Sequence, residues 1–419
     1  GRPRPVVAVL ATGTEAEAFA ADLRFFLGER EARGPLTRRV HHLPGWEVPP
    51  FEPLSPAREI LAARAEGFYH LVQTSDPVVV TTLEAWAQRC LPRAAFADAI
   101  TYVVAGEELA LETLAARLVE WGYHRVPLVQ DPGDLAVRGG IVDVFPPGYG
   151  RPVRLEFLGD EVESLREFDP SSQRSLDRIE DVLLLPVREF GLSRLGPDTA
   201  RAIDTRAAEI GLARQERRDL VEAVRERLVL PGIESLLPYF YDELATLADY
   251  LPKGTLVWMP AAGEMETAVE LLWAQVCEHA AAAMRDGRFH PPPERLYLNP
   301  KAWRAALEGR PRVEVEALDV LAEGSVHVQT YSTDLLALRP TTPGGEGPLA
   351  AVAARLTAWM REGTRPILVA SSENQRDRLR VLLSAHDIEA VSSSAAFPQA
   401  ITAPGRKLLL LTGELTHGV

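Results

Sequence analysis

Residues 136–168, "AVRGGIVDVFPPGYGRPVRLEFLGDEVESLREF", decide how the chain is read. Apolar and polar side chains alternate through "IVDV", "VRLEF" and "EVESLREF", the period of a half-buried strand. Arg138-Gly139-Gly140 stands directly before the first of these strands, where glycine allows a tight turn or a bulge, and Pro146-Pro147 shuts it off. Gly159-Asp160 between two alternating runs is a strong signal for a two-residue hairpin turn. On one face of that hairpin Leu155, Phe157 and Val162 point to a core. The other face carries Arg154, Glu156, Leu158, Glu161, Glu163 and Leu165, with Glu156 set opposite Glu163 as an unfavourable like-charge pair. Such a face reads in two ways. It is a solvated sheet surface, or it is a docking surface with arginine and apolar anchors inside a polar rim.

Working outward, residues 133–190 hold short alternating strands and form an α+β antiparallel sheet. They follow an amphipathic helix, "EELALETLAARLVEWGY", with Leu111, Leu114, Ala115 and Leu118 on one face. Both flanks read differently. Residues 1–104 alternate buried strands with helices. "PVVAVL" leads into a helix capped at Thr14, "SPAREIL" starts a helix with Ser55 as cap, and "TTLE" is a capping box with Thr81 as cap. Residues 193–320 return to helix over 197–228. The strand "GTLVWMP", a long helix from "EMETAVELL" and the strand "PRVEVEAL" follow, and the last strand fits the first α/β sheet. After the Pro- and Gly-rich stretch "ALRPTTPGGEGP", residues 321–419 form a further small α/β unit.

The bulk numbers narrow the function. The chain has 419 residues, is 46% hydrophobic and 25% charged, and carries a formal charge of −14. This is a globular composition with room for several domains. Nucleic-acid binders usually present a basic face, so any such binding here needs a local patch. No apolar run approaches the roughly 18 residues of a membrane helix. Two cysteines far apart, Cys90 and Cys277, fit a reducing cytoplasm and no disulfide framework. The chain is expected to be a piece of a longer protein, since both ends fall beside strands.

Enzyme chemistry finds little support. "ATGTE" follows a strand and opens a helix, as a phosphate loop would. It has a single glycine and Glu15 in place of a lysine, so it reads as an ordinary strand-to-helix turn. No GxxxxGK[ST] or GxSxG occurs. The nine histidines show no HxxxH or HExxH spacing, and His41-His42 cannot both face one ion from a regular element. No catalytic residue, cofactor or metal is expected.

The run from Gly133 to Ser175 carries "RGG-I-x-D-x-FPP", "P-x-R-x-EF-x-GDEVES-x-R-x-FD" and "QRS" in order. It closely resembles the strand-rich insert shared by UvrB and the bacterial transcription-repair coupling factors, the Mfd family. "LPGWEVPPFEPLSPAREI", "DPVVVTTLEAWAQR", "LPGIESLLPYFYDELATLADYLPKGTLVWM" and "ELTHGV" resemble the Mfd side of that pair. The interval that in UvrB carries a tyrosine-rich hairpin is short here and has no tyrosine. The resemblance implies an α/β multidomain chain. A degenerate helicase-like α/β domain (1–104 and 193–320), without ATPase motifs, is interrupted by an α+β insert (105–192). A small α/β domain (321–419) of unassigned role follows. It implies that the insert docks UvrA through Arg138, Arg154 and Leu158, the last standing where the family often has an aromatic. In the full-length family protein the insert is masked by the C-terminal domain, while later domains engage RNA polymerase and double-stranded DNA. The function implied is recruitment of UvrA to stalled polymerase, beginning nucleotide excision repair. Two alternatives are a UvrB-type helicase fragment whose ATP site lay upstream, and an autonomous DNA-binding module.

Overall fold

The computed structural model describes residues 4–29, 38–74, 76–260, 262–315, 326, 348–402 and 404–416. The chain divides into two units, residues 1–16 with 32–317, and residues 17–31 with 318–419.

The first unit opens on β1 (Val6–Leu10), whose last four residues are buried. α1 (Gly13–Leu27) follows at once. Its cap is Thr12 rather than Thr14. Thr12 Oγ1 accepts from the Glu15 amide at 3.3 Å, and Glu15 Oε2 accepts from the Thr12 amide at 3.1 Å, a reciprocal box that satisfies two amides at the helix start. β2 (Val40–Leu43), α2 (Arg58–Gln73), β3 (Val78–Thr82) and α3 (Leu83–Ala87) repeat the alternation. Ser55 does not cap α2. Its hydroxyl donates to Glu234 Oε2 at 2.7 Å and accepts from the Gly232 amide at 3.0 Å. α3 is capped by Thr82, which accepts from the Ala85 amide, while Thr81 donates to the Leu43 carbonyl at 2.7 Å. β4 (Arg89–Cys90) and α4 (Arg93–Ala99) complete this stretch.

The next stretch holds β5 (Thr101–Val104), α5 (Leu111–Glu120), β6 (His124–Arg125), β7 (Asp134–Arg138), β8 (Ile141–Val144), β9 (Val153–Leu158), β10 (Glu161–Phe168), β11 (Ser175–Ile179) and β12 (Asp181–Leu184). Six strands form one sheet in the order β11-β10-β9-β8-β7-β6, antiparallel except for β6 beside β7. Leu111, Leu114 and Leu118 of α5 share a core with Leu135, Val142, Leu155, Val162 and Leu165 of this sheet. The sequence placed "DVLLLPV" in the same sheet, but β12 pairs with β5 in a separate two-stranded ladder.

α6 (Pro197–Glu209) and α7 (Arg214–Arg225) fall within the helical stretch expected over 197–228. Gly211 at φ +71° turns the chain between them, and Arg217 Nε donates to Asp204 Oδ1 at 2.5 Å across the turn. β13 (Ala245–Thr246), α8 (Leu247–Tyr250), β14 (Leu256–Pro260), α9 (Ala262–Arg285), α10 (Pro300–Leu307) and β15 (Arg312–Val315) follow. The main sheet runs β15-β14-β1-β3-β2, all parallel. Strands from before β5 and from after β12 therefore close one sheet, with Val7, Val79 and Val257 fully buried at its centre. Hydrophobic runs buried on both faces are the mark of parallel strands.

The second unit contains α11 (Pro348–Arg361), β16 (Ile367–Ala370), α12 (Glu373–Ser384), β17 (Ala390–Ser392), α13 (Phe397–Thr402) and β18 (Leu408–Thr412). Its sheet is parallel, in the order β16-β18-β17. α13 was not anticipated from the sequence. The later half of α1 belongs to this unit, where Phe25 and Phe26 pack on Phe397 with ring centroids 5.2 and 5.0 Å apart. Nearly all of "ALRPTTPGGEGP" lies outside the described residues. Among the described residues no helix is long and apolar enough to cross a membrane.

Candidate docking face of the antiparallel sheet

Register puts the three sequence-predicted site residues on one sheet face. Arg138 pairs with Ile141, Ile141 with Glu156, and Asp143 with Arg154. Arg138, Asp143, Arg154, Glu156 and Leu158 therefore share the side opposite the core, because side chains alternate strictly along each strand. Leu158 closes β9 beside the Gly159-Asp160 turn and is 70% exposed. The β7–β8 turn is Gly139-Gly140, and each glycine has its own reason. Gly139 sits at φ +58° in open space. Gly140 lies against β9, where a Cβ would come 2.9 Å from the Phe157 carbonyl oxygen.

The two arginines meet on a residue that the sequence reading did not single out. Asp143 is 2% exposed. Its Oδ1 accepts from Arg154 Nε at 2.7 Å, and its Oδ2 accepts from Arg154 Nη2 at 2.9 Å and Arg138 Nη2 at 3.2 Å. Arg154 also donates to Ser175 Oγ at 3.2 Å and stacks its guanidinium over Phe168, 4.9 Å from the ring centroid. The hydrogen bonds to Asp143 hold the Arg154 guanidinium above the usual arginine range, against the opposing effect of partial burial. The Arg154 guanidinium is thus engaged within the fold. Arg138 remains half-exposed, with one hydrogen bond, to Asp143, among the described residues.

A bulge changes the outer face from the sequence reading. Pairing shifts between Val162 and Ser164, so Glu156 faces Ser164 rather than Glu163. The Ser164 hydroxyl donates to Glu156 Oε2. The inserted residue is Glu163, and beyond it the alternation is reversed. Leu165, expected outside, is fully buried opposite Leu155. The same reversal brings Arg166 to the outer face, directly opposite Arg154 on β9 and Arg178 on β11. Three arginines thus stand abreast. Like charges directly opposite are destabilising, and Arg166 has no ion pair or side-chain hydrogen bond among the described residues.

A cavity of about 620 Å³ is lined by Glu47, Glu84, Glu278, His279 and Tyr297, among others. Glu47 adopts φ +57°, and a Cβ on Gly13 would lie 3.3 Å from its Oε1. Burial pushes the Glu84 carboxyl up to about 7, opposed by Arg64 and aided by Glu47. Carboxylates in this place repel phosphate groups.

The sequence reading missed one cluster of metal-ligating types, because the spacing sought was between histidines. Glu66 and His70, four apart on α2, face His41 of β2, with ligand atoms within 4.8 Å of one another. The donor set does not fit a metal. The His41 and His70 rings stack 3.4 Å apart with planes only 14° from parallel, so no point close to both nitrogens lies in both ring planes. Both His41 nitrogens are also engaged, Nδ1 with Glu66 Oε1 at 3.3 Å and Nε2 with the Arg38 carbonyl at 2.9 Å.

Residues 102–190 match the family model described as the UvrB interaction domain. The chain is similar over 99% of its length to a transcription-repair-coupling factor of Myxococcus xanthus, at 33% identity. The chain belongs to the transcription-repair-coupling factor family. Family members from Mycobacterium bovis and Escherichia coli are 35% and 31% identical over 61% and 66% of the chain. The chain spans 35% of the Myxococcus xanthus factor, 21% of the Mycobacterium bovis factor and 24% of the Escherichia coli factor. The face carrying Arg138, Asp143, Arg154 and Leu158 lies wholly inside the matched interaction domain.

Proposed function

We propose that this chain is the non-enzymatic UvrA-recruiting part of a transcription-repair coupling factor, acting in nucleotide excision repair where RNA polymerase has stalled. The observation that carries the reading is the exposed Arg138 and Leu158 on the outer face of a sheet matched as a UvrB interaction domain. An apolar anchor on the same face as a half-free guanidinium is a combination that interface hot spots use. The main sheet is read as a helicase-like domain interrupted by residues 105–192 and stripped of its ATP site. The Thr12–Glu15 box and the acidic cavity favour that reading. RNA polymerase, double-stranded DNA and a masking C-terminal domain are partners proposed for the whole protein.

The test is capture of purified UvrA by the 419-residue chain and by Arg138→Ala and Leu158→Asp, with thermal melts alongside. Both variants are expected to fold normally and to capture less UvrA. Undiminished capture by both overturns the assignment. ATP-dependent thermal stabilisation of the chain would replace it with the truncated-helicase reading.

A further inference from the structure

The docking face is organised around one buried anion. Asp143 receives three hydrogen bonds from two guanidiniums, and the trio of Asp143, Arg138 and Arg154 carries one positive charge in excess. The two arginines differ in what else they do. Arg154 has a side chain 17% exposed, set between Ser175 and the Phe168 ring. Arg138 has a side chain 53% exposed and touches Asp143 through Nη2 alone.

We propose that Asp143 is the positioning residue of this surface, fixing Arg154 as a strut and holding Arg138 extended so that its free edge receives an aspartate or glutamate of the partner. The inference rests on the docking reading above and deepens it. The remaining N–H groups of Arg138 suit a planar carboxylate, which accepts two parallel bonds from a guanidinium. One carboxylate also neutralises the single excess charge. An arginine on an exposed turn samples many rotamers, and tying it to a buried carboxylate lowers the entropy lost when a partner binds. Asp143 itself is too buried to meet the partner, so its effect passes through Arg138.

The experiment is a double-mutant cycle on the 419-residue chain, with the dissociation constant for purified UvrA measured for Asp143→Asn, Arg138→Ala and the pair. Asparagine keeps the size of the side chain but turns an amide toward one of the guanidiniums. Asp143→Asn is expected to weaken binding about tenfold in the parent and by less than about twofold in the Arg138→Ala background, since residues acting as a unit are not additive. A folded Asp143→Asn variant with parental affinity overturns the proposal. So does an equal loss in both backgrounds, which marks a general structural role. Undiminished binding by Arg138→Ala instead overturns the docking reading itself. If Asp143→Asn does not fold, the cycle is run with Asp143→Glu, which keeps the charge and moves it by one methylene. The same non-additive loss is then expected, and the same two results overturn it.

Discussion

Arg64 Nε lies 2.5 Å from Glu189 Oε1, and both side chains are buried. The pair ties α2 of the parallel-sheet region to the segment that leaves β12. Trp46 Nε1 donates to the same carboxylate oxygen at 3.2 Å, and Arg64 Nη1 donates to the Pro44 carbonyl at 2.7 Å. Removing one partner strands the other as an uncompensated buried charge. Glu189→Ala is expected to lower the unfolding free energy by about 3–5 kcal/mol in urea titrations, while the apolar pair Arg64→Met with Glu189→Leu recovers most of that loss. A Glu189→Ala chain with unchanged urea midpoint would contradict the prediction.

Glu84 gives the fold a pH dependence of known sign. Its carboxyl is raised from 4.5 to about 7 in the folded chain, so the folded state holds a proton that the unfolded state releases. Its stabilising contribution is whole below about pH 4.5 and is lost as pH rises towards 7. Glu84→Gln is expected to be more stable than the parent at pH 8, by at most about 3 kcal/mol, and to match it near pH 4.5. Unfolding curves at the two pH values check this, and equal gains at both would refute it.

The paired glycines of the β7–β8 turn should respond differently to alanine. Gly140→Ala sets a Cβ against the backbone oxygen of Phe157 and is expected to cost about 1–3 kcal/mol, the range for overpacking. Gly139→Ala meets no atom within 4 Å, so only its left-handed backbone counts, about 1 kcal/mol. Gly139→Asn should cost less still. Melting temperatures rank the three, and a reversed order would refute the assignment of roles.

Arg166, flanked by Arg154 and Arg178, separates stability from recognition. Arg166→Ala removes an unpaired like charge, so the melting temperature is expected to hold or rise slightly, by about 0.2–1 kcal/mol in stability. Under the docking proposal UvrA binding should fall in the same variant. Loss of stability together with unchanged binding would make Arg166 a structural residue instead.

Much of the architecture could be read from the chain because strands and helices differ in period. The buried runs at Val6–Leu10 and Val78–Thr82 fall where expected, as does the apolar face of α5. The failures have identifiable causes. Adjacent threonines make a cap ambiguous by one residue, and Thr81 was drawn instead to the Leu43 carbonyl. Ser55 was taken from its helix by Glu234, a residue 179 positions away. The bulge at Glu163 leaves no local mark, since one extra residue in a strand still alternates on either side. Only the β9 register shows that Leu165 turns inward and Arg166 outward. Asp143 looked like any polar residue in an alternating strand until its cross-strand neighbour was known to be Arg154.

β1 has one neighbour close in sequence and one far away. Val6 pairs with Val78 on one side and with Leu256 on the other, 250 residues downstream. On a ribosome adding roughly 5–20 residues per second, the second edge of β1 waits roughly 10–50 s for its partner. Meanwhile residues 101–184 can emerge and fold around their own core. A nascent chain halted after residue 184 and before β14 exposes one unpaired edge of a wholly apolar strand, an invitation to aggregate. Its antiparallel sheet, already complete, would be left with no stable body to carry it.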